Sequence, residues 1–188
     1  MNILAIADRR PQRSIKKLVE DHDIDLICTL GDFDGADLQE LEGIEGIPKI
    51  GVYGNHCSGK YFESLGIQNM HLNTWDFNGI KFGGFQGSVR YKESPYAIMY
   101  TQEEALELMK DFPKVDIFIS HAPPYKIHDD PDELSHQGFH ALREYIDRCH
   151  PRFLLHGHTY PPEEDWEQIY NKTHVVFVTE EKILKLPL

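Results

Sequence analysis

Short runs of apolar residues recur along the chain, and each is bounded by Gly, Pro, Asn or Asp, as buried strands are. They predict strands at residues 2–7, 25–30, 48–53, 79–85, 115–120, 152–156, 174–179 and 182–187. The pair Asn78-Gly79 is typical of a hairpin turn. Strand and helix patterns alternate through the first 70 residues, which indicates βαβ units and a largely parallel core.

Amphipathic patterns between these runs predict helices. Ser14 is a candidate N-cap in front of the first helix, and Thr101 begins a capping box that ends at Glu104. Apolar residues at helical spacing predict a third helix from Leu134 to Cys149. The polar, aromatic segments 87–100 and 125–132 are either loops over a site or plain surface connections.

The length of 188 residues predicts one domain, 1–188, with enough chain for a substantial core. The formal net charge of −12 disfavours a long nucleic-acid tract or an anionic membrane surface as partner. No apolar run approaches the length of a membrane span and no leader is visible, so we expect a cytoplasmic protein. The three cysteines imply no disulfide framework, and the oligomeric state stays open.

Metal-binding residue types follow several of the predicted strands. They are Asp8, Asp32, Asn55-His56, His121 and His156-Gly157-His158. Each motif alone is as typical of a turn or a structural histidine. Together they place hard oxygen and imidazole ligands at strand ends, which favours a divalent-metal site in an α/β protein.

The motifs occur in the order Asp8, Gly31-Asp32, Gly54-Asn55-His56, Ser120-His121-Ala122-Pro123 and Gly157-His158. This order resembles the calcineurin-like metallophosphoesterase superfamily over residues 3–160. The resemblance implies an α/β fold, a two-sheet β-sandwich flanked by helices, with the site at the carboxyl ends of the strands. It also implies hydrolysis of phosphomonoesters or phosphodiesters by two metals that share one Asp.

Carried over residue by residue, the resemblance implies one complete metal site. Asp32 is the bridging carboxylate, and the other ligands are Asn55, His121 and His158. His56 is the residue that stabilises or protonates the leaving oxygen.

The second metal site of the family is incomplete in this chain. Its Asp-x-His pair is Asp8-Arg9-Arg10 here, and Tyr160 stands where the family has its last histidine, so only Asp8 and Asp32 remain as ligands. Arg10 has no lone pair for a metal; we expect it to offset the two carboxylates and to bind phosphate. Tyr160 is expected to donate a hydrogen bond or to pack. His136, in a His-x-Gly segment that resembles one branch of the family, is either near the substrate or a helix cap.

These residues lead to the hypothesis of a metal-dependent phosphoesterase, with catalytic residues Asp32, His56 and Arg10, substrate contacts from Arg10, Tyr160 and His136, and a phosphodiester or nucleotide-like substrate. One tightly bound Mn, Fe, Ni or Zn ion is expected, with a weak or absent second ion. The alternatives are an inactive member that binds a phosphate-bearing ligand or a protein partner, and, more weakly, a nuclease. Two local questions stay open. One is whether Cys57 faces the site. The other is whether a missing ligand is replaced by His22, His128, His136 or His156.

Overall fold

The computed structural model describes residues 1–186. Its strands are β1 (Asn2–Ala7), β2 (Leu26–Thr29), β3 (Lys49–Gly51), β4 (Gln68–Asn69), β5 (Thr74–Phe77), β6 (Ile80–Phe85), β7 (Ser88–Val89), β8 (Met99–Tyr100), β9 (Ile117–Ser120), β10 (Phe153–His156), β11 (Glu167–Tyr170), β12 (Thr173–Phe177) and β13 (Glu180–Lys185). Its α-helices are α1 (Ile15–His22), α2 (Gln102–Met109) and α3 (His140–Cys149).

Two large sheets form the centre of the molecule. The first has the strand order β13-β1-β2-β3-β4, and the second has the order β11-β12-β10-β9-β6-β5. The inner strands of both sheets are parallel, while β13, β11 and β5 pair antiparallel at the edges. Strands β7 and β8 form a separate parallel pair.

Successive side chains of β1 pack alternately against the second sheet and against the helix layer. Ile3 and Ala5 belong to an apolar cluster shared with the second sheet, whereas Leu4 and Ile6 pack in another cluster with residues of α1. A third cluster joins the outer face of the second sheet to α2 and α3. Because successive side chains of a strand point to opposite faces, both faces of each sheet are buried. The predicted two-sheet sandwich flanked by helices is therefore confirmed.

All eight predicted strands are present, each within two residues of its predicted start and end. Residue 187, the predicted end of the last strand, lies outside the described residues. The hairpin at Asn78-Gly79 joins β5 to β6. The sequence patterns missed β4, β5, β7, β8 and β11, which are short or lie at a sheet edge with alternate side chains exposed.

The third helix was predicted too long. A short 3-10 turn covers Leu134–His136, and α3 begins only at His140, with Phe139 at its N-cap. Phe139 donates its N–H to Pro123 O and accepts from Tyr125 N–H. The backbone before α3 is thus bonded to the loop that follows β9, so it does not continue the helix.

The predicted caps differ in outcome. The capping box of α2 is confirmed, because Thr101 Oγ1 accepts from Glu104 N–H and the Glu104 carboxylate accepts from Thr101 N–H. Ser14 precedes α1, but its hydroxyl donates to Glu40 Oε2 at 2.6 Å and makes no cap bond. Within residues 1–186, no helix has the length and apolar character needed to cross a membrane.

Candidate metal centre

Five polar residues are carried to one edge of the sandwich by the ends of parallel strands. Asp8, Asp32 and Asn55 follow β1, β2 and β3 of the first sheet, and His121 and His158 follow β9 and β10 of the second. The apolar strand sequences set their positions, because the carboxyl ends of parallel strands meet at the same edge. The predicted ligands therefore come from both sheets.

His121 is the centre of this group. It is fully buried, and its Nε2 lies 3.0 Å from Asn55 Oδ1 and 3.4 Å from Asp32 Oδ2. Ligand atoms about 2.1 Å from a metal lie about 3.0 Å apart along an octahedral edge and about 3.4 Å apart in a tetrahedron. These separations fit one divalent ion held by the three side chains.

The hydrogen bonds of His121 also fit a cation. Nδ1 lies 2.8 Å from the carbonyl oxygen of Leu30 and donates to it, so Nε2 faces two oxygen acceptors. A second ring proton or a cation makes that arrangement favourable. Asn55 presents its amide oxygen to His121, and its buried Nδ2 has no hydrogen-bond partner within residues 1–186.

His158 supplies the fourth predicted ligand. Its Nε2 lies 2.8 Å from Ser135 O, and its ring centre is 4.8 Å from that of His121. Since Nε2 is bonded to a carbonyl, Nδ1 is the nitrogen left for a metal. Of the described residues, the group of His, Cys, Asp and Glu side chains that could hold an ion is Asp32, His121 and His158.

The backbone at the site adopts uncommon conformations. Asp8, Asp32 and His158 have φ angles of 60°, 61° and 71°, in the left-handed region where residues other than glycine are rarely found. A Cβ on Gly54 would lie 2.1 Å from Asp32 Oδ1, which explains the glycine before Asn55. The backbone conformation at Asp8 and Asp32, and the close approach of Gly54 to Asp32, thus set the positions of the two carboxylates.

The charges at the site are strongly coupled. Burial opposes ionisation of His121, but the neighbouring Asp32 carboxylate raises the pKa of its imidazole to about 9. Burial likewise opposes ionisation of Asp32, yet His121 holds the pKa of that carboxyl below its usual range. Burial raises the pKa of Asp8 to about 7. Without a metal, a second ring proton on His121 thus supplies the positive charge that balances the Asp32 carboxylate.

Asp8 lies beside the site and has an arginine neighbour that the sequence did not single out. Both oxygens of its carboxylate accept the backbone N–H of His158, at 2.9 and 3.0 Å. Burial raises the pKa of Asp8, and the positive charge of Arg9 partly opposes that rise. Arg9 also lies over the ring of Tyr160, with Cζ 5.3 Å from the ring centre.

Arg10, the arginine expected at this position, lies elsewhere. It lines a surface depression together with Lys16 and Glu40, where the hydrogen bond from the Ser14 hydroxyl lowers the pKa of Glu40 and the charge of Arg10 adds to that effect. Asp8 has φ 60° and begins a tight turn, with Arg9 N–H donating to Ala7 O. The reversal at Asp8 is what brings Arg9, rather than Arg10, toward its carboxylate.

His56 and Cys57 follow Asn55 but face different surroundings. His56 is exposed, and its backbone N–H donates to Asp32 Oδ1 at 2.9 Å. Cys57 is buried, and its Sγ accepts the backbone N–H groups of Asp32 and Gly54, each at 3.2 Å. The thiol therefore connects the two ligand loops through their backbone and is not part of the ligand group.

A cleft of about 520 Å³ borders the metal centre on the side of His158. Its lining includes His136, whose ring centre lies 5.8 Å from that of His158, and Tyr160, which is 56% exposed. His128 also lines it, and its Nδ1 lies 2.8 Å from Nε2 of the buried His156. These two histidines bond to each other, a contact that no sequence pattern indicates, and they lie outside the candidate ligand group.

Comparison with known proteins agrees with this geometry. The family description "Calcineurin-like phosphoesterase" matches residues 3–162. The chain belongs to this family. No curated protein matches it significantly.

Solved structures share the fold. One crystal structure superposes with a TM-score of 0.71 at 14% identity, covering 98% of each chain. The protein TT1561 of Thermus thermophilus gives a TM-score of 0.62 at 20% identity, covering 95% of this chain and 89% of its own. A hypothetical protein from the same organism gives 0.54 at 18% identity, covering 94% and 75%.

Membership of the family supports metal-dependent hydrolysis of phosphate esters as the general chemistry of this chain. The Asp32, His121 and His158 group is a suitable place for a divalent ion.

Proposed function

We propose that the protein is a phosphodiesterase that uses one tightly bound divalent ion, such as Mn, Fe, Ni or Zn, at Asp32, Asn55, His121 and His158. The observation that carries the proposal is the convergence of Asn55 Oδ1 and Asp32 Oδ2 on His121 Nε2, at 3.0 and 3.4 Å. Small phosphodiesters, including nucleotide-like ones, are the proposed substrates.

A divalent ion bound there supplies Lewis acidity toward a phosphoryl oxygen and toward water. In the hydrolysis, water adds to phosphorus, one P–O bond breaks, and the departing alcohol takes up a proton. His56 is the proposed donor of that proton, because it is exposed beside Asp32 and its backbone is fixed by the Asp32 carboxylate. Leu30 and Ser135 hold the rings of His121 and His158 through their carbonyls.

Arg9 is the proposed phosphate-binding residue in place of a second ion. Its side chain is exposed, its charge lowers the pKa of Asp8, and its guanidinium lies over the ring of Tyr160. A guanidinium can hydrogen-bond two oxygens of one phosphate. Without a second metal, the loss of charge stabilisation is about 3–4 kcal/mol, or roughly a hundred- to a thousand-fold in rate. Turnover is therefore expected to be slow.

The first test is hydrolysis of bis-p-nitrophenyl phosphate with Mn(II), Ni(II) or Fe(II), compared with p-nitrophenyl phosphate. The wild type should hydrolyse the diester faster than the monoester, and Asn55→Ala should reduce the rate to background. Equal rates for wild type and Asn55→Ala would contradict catalysis. They would favour a second candidate, a phosphate-binding member without activity, which the arginine beside Asp8 also favours.

The second test counts metal by mass spectrometry on protein purified without chelator. One equivalent per chain is expected, and His158→Ala should lose it. Two tightly bound equivalents would exclude the single-ion proposal, and unchanged content in His158→Ala would exclude this ligand set.

The third test separates the two arginines. Arg9→Ala is expected to raise KM for the diester, whereas Arg10→Ala removes the same charge from a surface depression and should leave KM unchanged. The opposite result would restore Arg10 as the substrate contact.

A further inference from the structure

One peptide group of the 3-10 turn before α3 is bonded at both ends and reaches the metal centre. Its carbonyl, that of Ser135, accepts from His158 Nε2 at 2.8 Å. Its N–H, that of His136, donates to Glu133 O, also at 2.8 Å. Because a peptide group is planar, fixing its N–H also fixes the direction of its carbonyl oxygen. The position of Glu133 therefore affects how the ring of His158 is held.

The side chain of Glu133 holds the same peptide group from both sides. Its Oε1 accepts from the Ser135 hydroxyl at 3.0 Å, and its Oε2 accepts from His136 Nδ1 at 3.0 Å. The hydrogen bond from His136 lowers the pKa of Glu133, so the carboxylate is ionised at neutral pH and both of its oxygens are acceptors. Glu133 thus makes one backbone and two side-chain hydrogen bonds to the residues that flank this peptide.

The chain beyond the turn is anchored independently of the Glu133 carboxylate. Gly138 N–H donates to Asp129 Oδ2 at 2.9 Å, and Gly138 O accepts from Nε2 of Gln102 on α2 at 3.0 Å. Removal of the carboxylate should therefore release the peptide group locally and leave the segment folded.

The contact with Glu133 also fixes the ring of His136. Since Nδ1 donates to the carboxylate, Nε2 is the nitrogen left for another partner. His136 lines the cleft of about 520 Å³ beside the metal centre, and its ring centre lies 5.8 Å from that of His158. An ester group that extends from the metal centre into the cleft would pass this ring.

We propose that Glu133 is a positioning residue of the metal-dependent reaction, an inference that rests on the proposed function. It orients the metal ligand His158 through the Ser135 carbonyl, and it orients His136 as a substrate contact through Nδ1. The side chains of Glu133 and His136 are 56% and 38% exposed. An exposed pair of this kind contributes little to folding stability, so orientation of its neighbours is the effect expected of Glu133.

Calorimetric Mn(II) titration of the metal-free protein tests the first action. Loss of a residue that supports a metal ligand costs roughly 10–100-fold in metal affinity. Because Glu133 acts through a backbone carbonyl, Glu133→Ala should raise the Mn(II) dissociation constant by about tenfold, with an unchanged midpoint of urea unfolding. Glu144→Ala removes the same charge from the exposed face of α3 and should leave the affinity unchanged. An unchanged affinity in Glu133→Ala would overturn the inference.

Glu133→Gln separates orientation from charge. The glutamine amide can accept from His136 Nδ1 and donate to the Ser135 hydroxyl, so this variant should keep the Mn(II) affinity of the wild type. If Glu133→Gln instead loses as much affinity as Glu133→Ala, the effect is one of charge and the positioning role is wrong.

Histidine-ring NMR of the metal-free protein tests the same action without metal. The ¹⁵N shifts of His158 should report a proton on Nε2 in the wild type and a mixture of the two ring tautomers in Glu133→Ala. Identical His158 shifts in the two proteins would overturn the inference.

Kinetics at saturating Mn(II) test the second action. Ordering one side chain on binding costs roughly two- to twelve-fold in an equilibrium constant, so Glu133→Ala should raise KM for bis-p-nitrophenyl phosphate by about threefold with kcat little changed. In a His136→Ala background the same substitution should leave KM unchanged, and an equal rise in both backgrounds would overturn the role assigned to His136. If the wild type hydrolyses no ester, the proposed function fails, and the Mn(II) titration and the His158 shifts still decide whether Glu133 positions the ligand.

Discussion

Replacing Cys57 by alanine removes one buried atom that serves two ligand loops. The thiol is 1% exposed, accepts the backbone N–H groups of Asp32 and Gly54, each at 3.2 Å, and lies 3.3 Å from the Tyr61 hydroxyl. An unsatisfied buried N–H costs about 1–3 kcal/mol, and the lower value applies because sulfur is a weak acceptor. With the cavity left by the sulfur, the expected loss of unfolding free energy is about 3 kcal/mol. Metal affinity should fall as well, because Asp32 loses its support.

Urea unfolding of the metal-free protein measures this loss, and calorimetric Mn(II) titration measures the affinity. Cys28→Ala is the matched control, because Cys28 is equally buried and its Sγ makes no hydrogen bond within the described residues. It should lose only about 1 kcal/mol and keep its metal affinity. Cys57→Ser should keep an acceptor and fall between the two. If Cys57→Ala costs no more than Cys28→Ala, the hydrogen bonds to sulfur contribute nothing and the reasoning is refuted.

Three further predictions concern other parts of the molecule. Gly157→Ala should lower the free energy of unfolding by about 1–3 kcal/mol and weaken Mn(II) binding in calorimetry, because the added Cβ would lie 2.6 Å from Asp8 Oδ2. Gly35→Ala is the control and should do neither, because its Cβ would meet Tyr61 Cβ at 3.4 Å. Thr101→Ala should lose about 1 kcal/mol in urea unfolding through the capping box of α2, and an unchanged midpoint would contradict that. Burial lowers the pKa of His71 to about 4, so the stability gained from its neutral ring is present above pH 6.5 and is lost as the pH falls toward 4, by at most about 3 kcal/mol. His71→Gln should have a shallower acid dependence over that range, and an identical dependence would show that His71 does not contribute.

The strands and the ligand residues were accessible from sequence because their signals are local. An apolar run bounded by turn residues predicts a strand wherever both faces become buried, as in β1 and β9. The order of Asp32, Asn55, His121 and His158 after those strands indicated a shared edge, and their side chains do converge. The edge strands β5 and β11 were missed because half of their side chains remain exposed and the apolar run is absent.

The surroundings of the ligands were decided by contacts between distant segments. The left-handed backbone at Asp8 reverses the chain, so residue spacing alone could not tell that Arg9 rather than Arg10 acts on its carboxylate. The start of α3 depends on bonds from Phe139 to the loop after β9, which override helical periodicity. The acceptor role of Cys57 and the pairing of His128 with His156 likewise join residues whose spacing carries no pattern. The sequence by itself therefore determined the strands and the candidate ligand residues, because burial and residue chemistry leave local signals, while the resemblance to the calcineurin-like metallophosphoesterases implied the sandwich and the grouping of those residues into one metal site. Only the tertiary structure decided which charges, thiol and histidines surround that set, because these depend on backbone reversals and long-range packing.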